Sequence, residues 1–402
     1  MRILYHHRTR AEDAQGVHIR EMVKAFRDLG HEVHLVGLVG SEGDRPASRL
    51  GRVISVSTKH MPFWLYELLE ILYNLPALPM LAWKVWKFKP DCIYERYSLY
   101  GLAGVLASKI TDKPLILEVN APLAMEKKQY ARILLGPVAE WIESFVCRKA
   151  TRTIAVSTPL KRILQGNGVL GEQIEVIPNG VDPERFHPEV DGTRVRERLG
   201  LLDRTVVGFV GWMRQWHGLE QLLETYIRHA MRDMGIAILL VGDGPAMPEL
   251  KGLAAREGLV NDGVFFAGSV DSEEIPEHIA AFDLALQPDV TGYACPIKTV
   301  EYIAMGRGVI APDKPNILEL LELGYPGLFP AGDWEAMARI ILQNAASEDR
   351  LEALRERTLA IRELRNYSWR ENALETLSLL PGSLAERYSR TLRSERKSEA
   401  VE

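Results

Sequence analysis

The chain has 402 residues, too many for one ordinary hydrophobic core, and its length points to two or three domains. Hydrophobic residues make up 47%, which excludes a disordered chain, and a formal net charge of -5 gives no electrostatic case for nucleic-acid binding. Three widely spaced cysteines, Cys92, Cys147 and Cys295, suggest neither a disulfide framework nor a zinc cluster, and a reducing, cytoplasmic setting is expected. The opening "MRILYHHRTR" has no apolar signal core. No run reaches the roughly 18 apolar residues of a membrane span.

In chain order, short apolar runs alternate with longer helical patterns. The first half offers "RILYHH", "EVHLVGL", "CIYERY", "LILEVN", "RTIAVS" and "EVIPNG"; the second offers "TVVGFVG", "AILLVGDG", "VFFAGS", "LALQPD" and "GVIAPD". Most lack period-two alternation, as strands covered on both faces do. Strand–helix–strand repetition means parallel sheets with right-handed crossovers. The expected fold is α/β, with two doubly wound Rossmann-like domains facing across a cleft. The boundary falls in "PNGVDPERFHPEVDG", residues 178–192. We expect domains over 1–182 and 183–366, a C-terminal helix over 367–388 returning to the first domain, and a solvated tail over 389–402.

In open α/β sheets, ligands bind beyond the carboxyl ends of the strands. Three segments stand there. "CPIKTVEYIAMGRGVIA" places Lys298 and Glu301 at a helix start expected over 299–305, so that Glu301 falls in the first turn. A carboxylate there can accept two vicinal hydroxyls such as a ribose presents, and a helix N-terminus with a lysine attracts phosphate. The bland alternative is a dipole-favoured Glu and a solvated Lys. "VGWMRQWHGLEQLL" ends a strand and opens a helix near Gly218, and carries Arg214 and His217; stacking of Arg214 on Trp212 or Trp216 is its packing reading. "EDAQGVHIREMVKAF" puts Gly16 where backbone can approach a diphosphate, while His6, His7 and His18 read as structural. "GDGP" at 242–245 is a weak glycine-loop match and reads as a tight turn.

Taken together, "VIPNGVDPERFHP", "LLVGDGP" and "PIKTVEYIAMGRGVIA" resemble the retaining glycosyltransferases of family 4, which have the GT-B fold. The resemblance runs from Gly16 to the "YSW" at 367–369. It implies transfer of a sugar from a nucleoside diphosphate-sugar donor to an acceptor hydroxyl, with retention, in glycan, glycolipid or glycosylated metabolite biosynthesis. It implies Arg214, Lys298 and Asn120 as catalytic residues. For the donor it implies Gly16, His217, Gly268, Val270, Tyr293, Ile297, Thr299 and Glu301. The nucleotide-sugar is a substrate, no cofactor is required, and no Asp-x-Asp motif calls for a metal.

The chain departs from the family pattern. Tyr293 stands where the common form has a second Glu, eight residues before Glu301; "CPIK" resembles a subset with an "SPLK"-like motif that also lacks it. Trp212 and His217 replace the usual Arg and Lys. Gln15-Gly16 replaces a Gly pair. Asn120 replaces a His and cannot titrate; Glu118 is expected to point elsewhere if the strand alternates, though Asn120 would share its face. A nucleotide-sugar epimerase and a non-catalytic binding protein remain as alternatives. Residues 61–89, rich in aromatics and ending in lysines, are expected to form two helices broken by Pro76 and Pro79. Peripheral membrane contact on the inner face is one reading, and a core hairpin or acceptor wall is preferred.

Overall fold

A computed structural model describes residues 1–9, 14–37, 63–130 and 132–382. The expected tail over 389–402 lies outside them. The chain divides into two units, one of Met1–Pro178 with the segment from Trp369, the other Asn179–Ser368.

The first unit holds β1 (Arg2–His6), β2 (Glu32–Val36), β3 (Cys92–Arg96), β4 (Leu115–Val119), β5 (Arg152–Ala155) and β6 (Ile174–Val176). All pair in parallel, in the order β2-β1-β3-β4-β5-β6. Its helices are α1 (Ala14–Asp28), α2 (Phe63–Leu72), α3 (Asn74–Phe88), α4 (Ala103–Thr111), α5 (Leu123–Tyr130), α6 (Gly136–Lys149) and α7 (Thr158–Gly166). The central strands β3 and β4 are buried at every position, so neither shows period-two alternation, and their charged residues Glu95, Arg96 and Glu118 are enclosed with the apolar ones.

In the second unit β7 (Thr205–Val210), β8 (Ile236–Val241), β9 (Val264–Gly268), β10 (Leu284–Leu286), β11 (Gly308–Pro312) and β12 (Leu328–Phe329) form a second parallel sheet. Its order is β12-β11-β10-β7-β8-β9. The two residues of β12 are too few to show in the sequence. Helices α8 (Thr193–Leu199), α9 (Leu219–Arg228), α10 (Met247–Arg256), α11 (Ile275–Ala280) and α12 (Ile297–Ala304) follow in turn. They are joined by α13 (Pro315–Leu321), α14 (Trp334–Ala345) and α15 (Glu348–Leu364). In each sheet the strand order reverses direction beside the first strand of the unit, as in doubly wound folds.

The last described helix, α16 (Trp369–Ser378), packs on α1 within the first unit. Trp369 meets the His18 ring edge-on at 4.8 Å, and Ala373 and Leu377 join the core with Met22 and Phe26. The Asn372 side-chain amide donates to the Pro178 carbonyl at 2.6 Å, fixing the point where the chain leaves this unit.

The aromatic segment departs from expectation in two ways. The break lies at Tyr73, not at the prolines. Pro76 occupies the first turn of α3, where a missing N–H costs nothing, and Pro79 sits inside the helix. Asn74 fixes the break: its amide nitrogen donates to the Ile71 and Tyr100 carbonyls, and its oxygen accepts from the Leu102 and Ala103 amides at the start of α4. The segment is also not a core hairpin. Only Ala77, Leu81 and Val85 of α3 are buried, while Trp64, Trp83 and Trp86 are exposed.

Gly208, in the middle of β7, tests the packing of the second sheet. A methyl there would lie 2.0 Å from the Phe282 ring, which is itself fully buried. Gly208→Ala is expected to cost roughly 1–3 kcal/mol through forced repacking. A thermal melt would register it as a lowered transition.

Candidate donor site of the second unit and polar hub of the first

The loop after β7 is held by backbone packed on backbone. Met213 N–H donates to the Asp243 carbonyl at 2.7 Å, and Gly211 N–H to the Val241 carbonyl at 2.9 Å. A methyl at Gly242 would lie 2.2 Å from the Gly211 oxygen, and one at Gly244 2.3 Å from the Met213 oxygen. Both glycines have positive φ, 118° and 149°. The "GDGP" turn is therefore a clamp on the loop that carries Arg214 and His217, a role its weak dinucleotide pattern did not suggest.

Helix α12 begins at Ile297 with Pro296 as its cap residue, two residues earlier than expected. Lys298 is therefore in the first turn and Glu301 in the second, because the chain already turns helical directly after the proline. The approach to the helix is tied at several points. Lys314 donates to the Asp289 carboxylate and the Val290 carbonyl, and Asn316 to the Thr291 and Ala294 carbonyls. Asn179 donates its side-chain amide to the Cys295 carbonyl at 2.6 Å. At the other side the Tyr302 hydroxyl accepts from Val210 N–H, joining α12 to the end of β7. Tyr293 is buried within this loop, and Thr299 is turned into the core, its N–H bonded to the Pro296 carbonyl. Ile297 and Glu301 are half-buried.

Two nitrogen-bearing side chains, Lys298 and His217, flank Phe209, and a third, Arg214, lies beside His217. The Lys298 ammonium stands 4.4 Å from its ring centroid, and the His217 ring 5.4 Å from it. Arg214 lays its guanidinium over Trp216 at 5.0 Å, the stacking weighed as the packing alternative, while remaining close enough to His217 to oppose its protonation. Burial, then Lys298 and Arg214, push His217 down to about 2. The ring is neutral at pH 7. Its Nδ1 accepts from Arg214 N–H at 3.3 Å, so the hydrogen resides on Nε2, which is left as a donor. Burial lowers Lys298 to about 8, with Glu301 acting in the opposite direction. The lysine passes so close to Gly211 that a methyl there would lie 3.0 Å from its Cε. At the end of β9, Gly268 takes φ 72° and its carbonyl accepts from Gly242 N–H; Val270, two residues on, is half-buried.

The first unit has its own polar hub at the carboxyl ends of its strands. Glu118, fully buried in β4, accepts from Arg96 at 2.7 Å, from the Tyr94 hydroxyl and from the Asn120 side-chain amide, with His18 Nε2 at 3.3 Å. Burial alone would raise its pKa, but His18, Arg96 and these hydrogen bonds outweigh it and hold it below the usual range. Burial brings His18 down to about 4, leaving it neutral at pH 7. Glu118 does not point elsewhere: residues two apart on a strand share a face, and it commits the Asn120 nitrogen. With its nitrogen committed, the Asn120 oxygen is the group left to accept a hydrogen bond. Sequence reasoning missed Glu118, although the Glu-x-Asn spacing was its signal. Gly16 is buried in the first turn of α1, and the Glu95 carboxylate accepts from His6 Nδ1 at 2.8 Å. Gly104 makes room for that Glu95 carboxylate.

Among the described residues no group of three or more His, Cys, Asp or Glu side chains is placed to hold a metal ion. No helix among them is long and apolar enough to cross a membrane.

Two six-stranded parallel sheets with these loops define a GT-B glycosyltransferase fold. Anabaena HepE, solved with UDP, superposes with a TM-score of 0.70 at 20% identity, over 98% of this chain and 100% of that chain. The model for Glycosyltransferase Family 4 matches residues 15–185, and that for Glycosyl transferases group 1 matches residues 204–346. The chain thus carries a Glycosyltransferase Family 4 domain followed by a Glycosyl transferases group 1 domain. The alpha-D-kanosaminyltransferase of Streptomyces kanamyceticus is 26% identical over 56% of this chain and 58% of that protein. A GDP-mannose-dependent alpha-(1-6)-phosphatidylinositol monomannoside mannosyltransferase of Mycolicibacterium smegmatis is 30% identical over 52% of this chain and 56% of that protein. The chain thus spans about half the length of the curated relatives it matches.

Removing the buried carboxylate separates the hub from its outer member. Glu118→Ala leaves Arg96 buried without its counter-charge and is expected to cost roughly 3–5 kcal/mol. Asn120→Ala removes one hydrogen bond at a half-buried site and should cost about 1 kcal/mol. Chemical denaturation of both variants would check the ordering, and equal losses would contradict it.

Proposed function

We propose that the protein transfers a sugar from a nucleoside diphosphate-sugar to an acceptor hydroxyl, with retained anomeric configuration. The observation that carries this reading is that Lys298, in the first turn of α12, and Arg214 both lie close to neutral His217, with Lys298 and His217 flanking Phe209. A diphosphate leaving group gathers negative charge as the glycosidic bond breaks. Two cations, a hydrogen-bond donor and the open N–H groups of a helix start stabilise that charge most in the transition state. HepE bound to UDP supports a nucleoside diphosphate as the ligand class.

In this reading Glu301 accepts the ribose hydroxyls, and the backbone from Gly268 to Val270 meets the base. Gly16, Tyr293, Ile297 and Thr299 belong to the donor surroundings, Thr299 through its place in the helix because its hydroxyl is enclosed. Asn120 takes a hydrogen bond from a sugar hydroxyl through its oxygen, since Glu118 holds its nitrogen. Retention follows a front-face course, in which the departing diphosphate accepts the acceptor's proton. No cofactor or metal enters this course. The acceptor is a glycan, a glycolipid or a small metabolite, and peripheral contact with a membrane on its cytoplasmic side is part of the reading.

Arg214→Ala should lower turnover on the order of 100- to 1,000-fold while weakening nucleotide binding far less. Arg214→Lys should restore part of the rate, since charge survives but the fork does not. A donor-panel assay for released diphosphate, followed by steady-state kinetics on the active donor, would measure both. Near-normal turnover in Arg214→Ala would remove it from the site.

The lysine adds a pH test. Its folded pKa is lowered, so its cation is lost as pH rises through about 8. Nucleoside diphosphate affinity should fall between about pH 7 and about pH 9, and binding in that window should take up protons. Lys298→Arg keeps its charge throughout and should flatten the profile. Calorimetry in buffers of different ionisation enthalpy would detect the proton uptake.

A further inference from the structure

We propose that the outer faces of α2, α3 and α6 form one docking surface that seats the first unit on an anionic lipid bilayer. This deepens the membrane contact of the proposed function by naming the surface, and it rests on that reading only for its purpose.

Helix α3 is apolar on two opposite sides. Ala77, Leu81 and Val85 face the core. On the far side, Leu75, Pro79, Trp83 and Trp86 fall within one arc of the helix, and Leu75 and Trp86 are 71% and 73% exposed. A surface helix ordinarily carries polar residues there. Helix α2 repeats the pattern with Trp64, Leu68 and Leu72 at four-residue spacing, all exposed. The start of α6 is pinned against α2, because the buried Glu67 carboxylate accepts the amide hydrogens of Leu134 and Leu135. That contact brings exposed Leu134, Val138 and Trp141 alongside. Isolated exposed apolar residues are ordinary; three adjoining helices that each expose tryptophan are not.

Charge selects the occupant. The α3 sequence contains no acidic residue, and its Lys84 and Lys87 stand 5.7 and 5.1 Å from the Trp83 ring centroid. The acids of the neighbouring helices are already engaged. Glu67 and Glu143 are buried, Glu70 pairs with Lys127 at 3.0 Å, and Glu140 pairs with Lys128 at 3.4 Å. The surface therefore offers tryptophan and leucine edged by exposed Lys87 and by half-buried Lys84, whose ammonium also contacts His34 Nε2 at 3.2 Å and faces no carboxylate of α3. Tryptophan settles at the headgroup level, and lysine is drawn to anionic lipid.

The test is co-sedimentation of the full chain with vesicles of phosphatidylcholine, with and without phosphatidylglycerol. The wild type should bind the mixed vesicles, and high salt should weaken binding without abolishing it. Trp64→Ser with Trp86→Ser should lower the partition coefficient roughly tenfold or more, and Lys84→Gln with Lys87→Gln about fivefold per lysine. These side chains lie outside the core, and unchanged thermal melts would show that both variants fold. Absence of binding by the wild type, or undiminished binding by the tryptophan variant, overturns the proposal. So does a concentration-dependent dimer, seen by sedimentation velocity without lipid, that the tryptophan variant loses. Donor turnover assayed without vesicles should be the same in the tryptophan variant as in the wild type. If no donor is turned over while vesicle binding persists, the transfer reading fails and the docking surface stands.

Discussion

The arrangement of the second unit depends on the absence of a side chain at Gly211. Its φ of 129° turns the chain sharply out of β7, and its bare face lets the Lys298 stem pass within van der Waals contact. The same residue is pressed from the other side by the Gly242 turn. Two glycines in backbone contact thus fix the height of the loop that carries Arg214 and His217. Any side chain at either position would lift that loop away from α12. Rigid backbone holds the charged groups at the end of β7, and their mutual repulsion is accepted rather than relieved. Burial, with Lys298 and Arg214 beside it, is why His217 is neutral, whereas burial alone brings Lys298 down to about 8, with Glu301 acting the other way.

The first unit handles its charge in the opposite way. Glu118 is deeply buried but surrounded by donors, so its charge is answered inside the protein. The hub joins β3, β4 and α1, and through His18 it reaches Trp369 on α16. A helix from the far end of the chain is thus packed against the residues that position Asn120. Compensated charge gives a rigid hub in the first unit, whereas in the second unit Lys298 and Arg214 are held close to a neutral His217.

Much of the fold was legible because parallel strands covered on both sides read as short, mostly apolar and β-branched runs without clean period-two alternation. Eleven of the strands announce themselves this way, and β12 does not because two residues form no pattern. The helix start at Ile297 was placed two residues late, since a proline is compatible with the last extended residue as well as with the residue before a helix. The surface of α3 was misjudged for a different reason. Apolar residues at Leu75, Ala77, Leu81, Trp83 and Trp86 are what a fully buried helix would also show, and periodicity cannot say which of two apolar faces meets the core. Glu118 was passed over because strand alternation says which face a residue takes, not what awaits it there.

By itself the sequence determined the alternation of strand and helix, the parallel sheets, and the positions of Lys298, Glu301, Arg214 and His217 next to strand ends. These follow from local hydrophobic pattern and from glycine and proline, whose effects act over a few residues. Only tertiary structure decided that "GDGP" clamps a loop, that Arg214 stacks on Trp216, that Glu118 governs Asn120, and that tryptophans of three helices face solvent together. Each of these depends on residues far apart in the chain, or on which of two faces is covered. Burial and electrostatics are properties of the packed whole, and no local pattern specifies them.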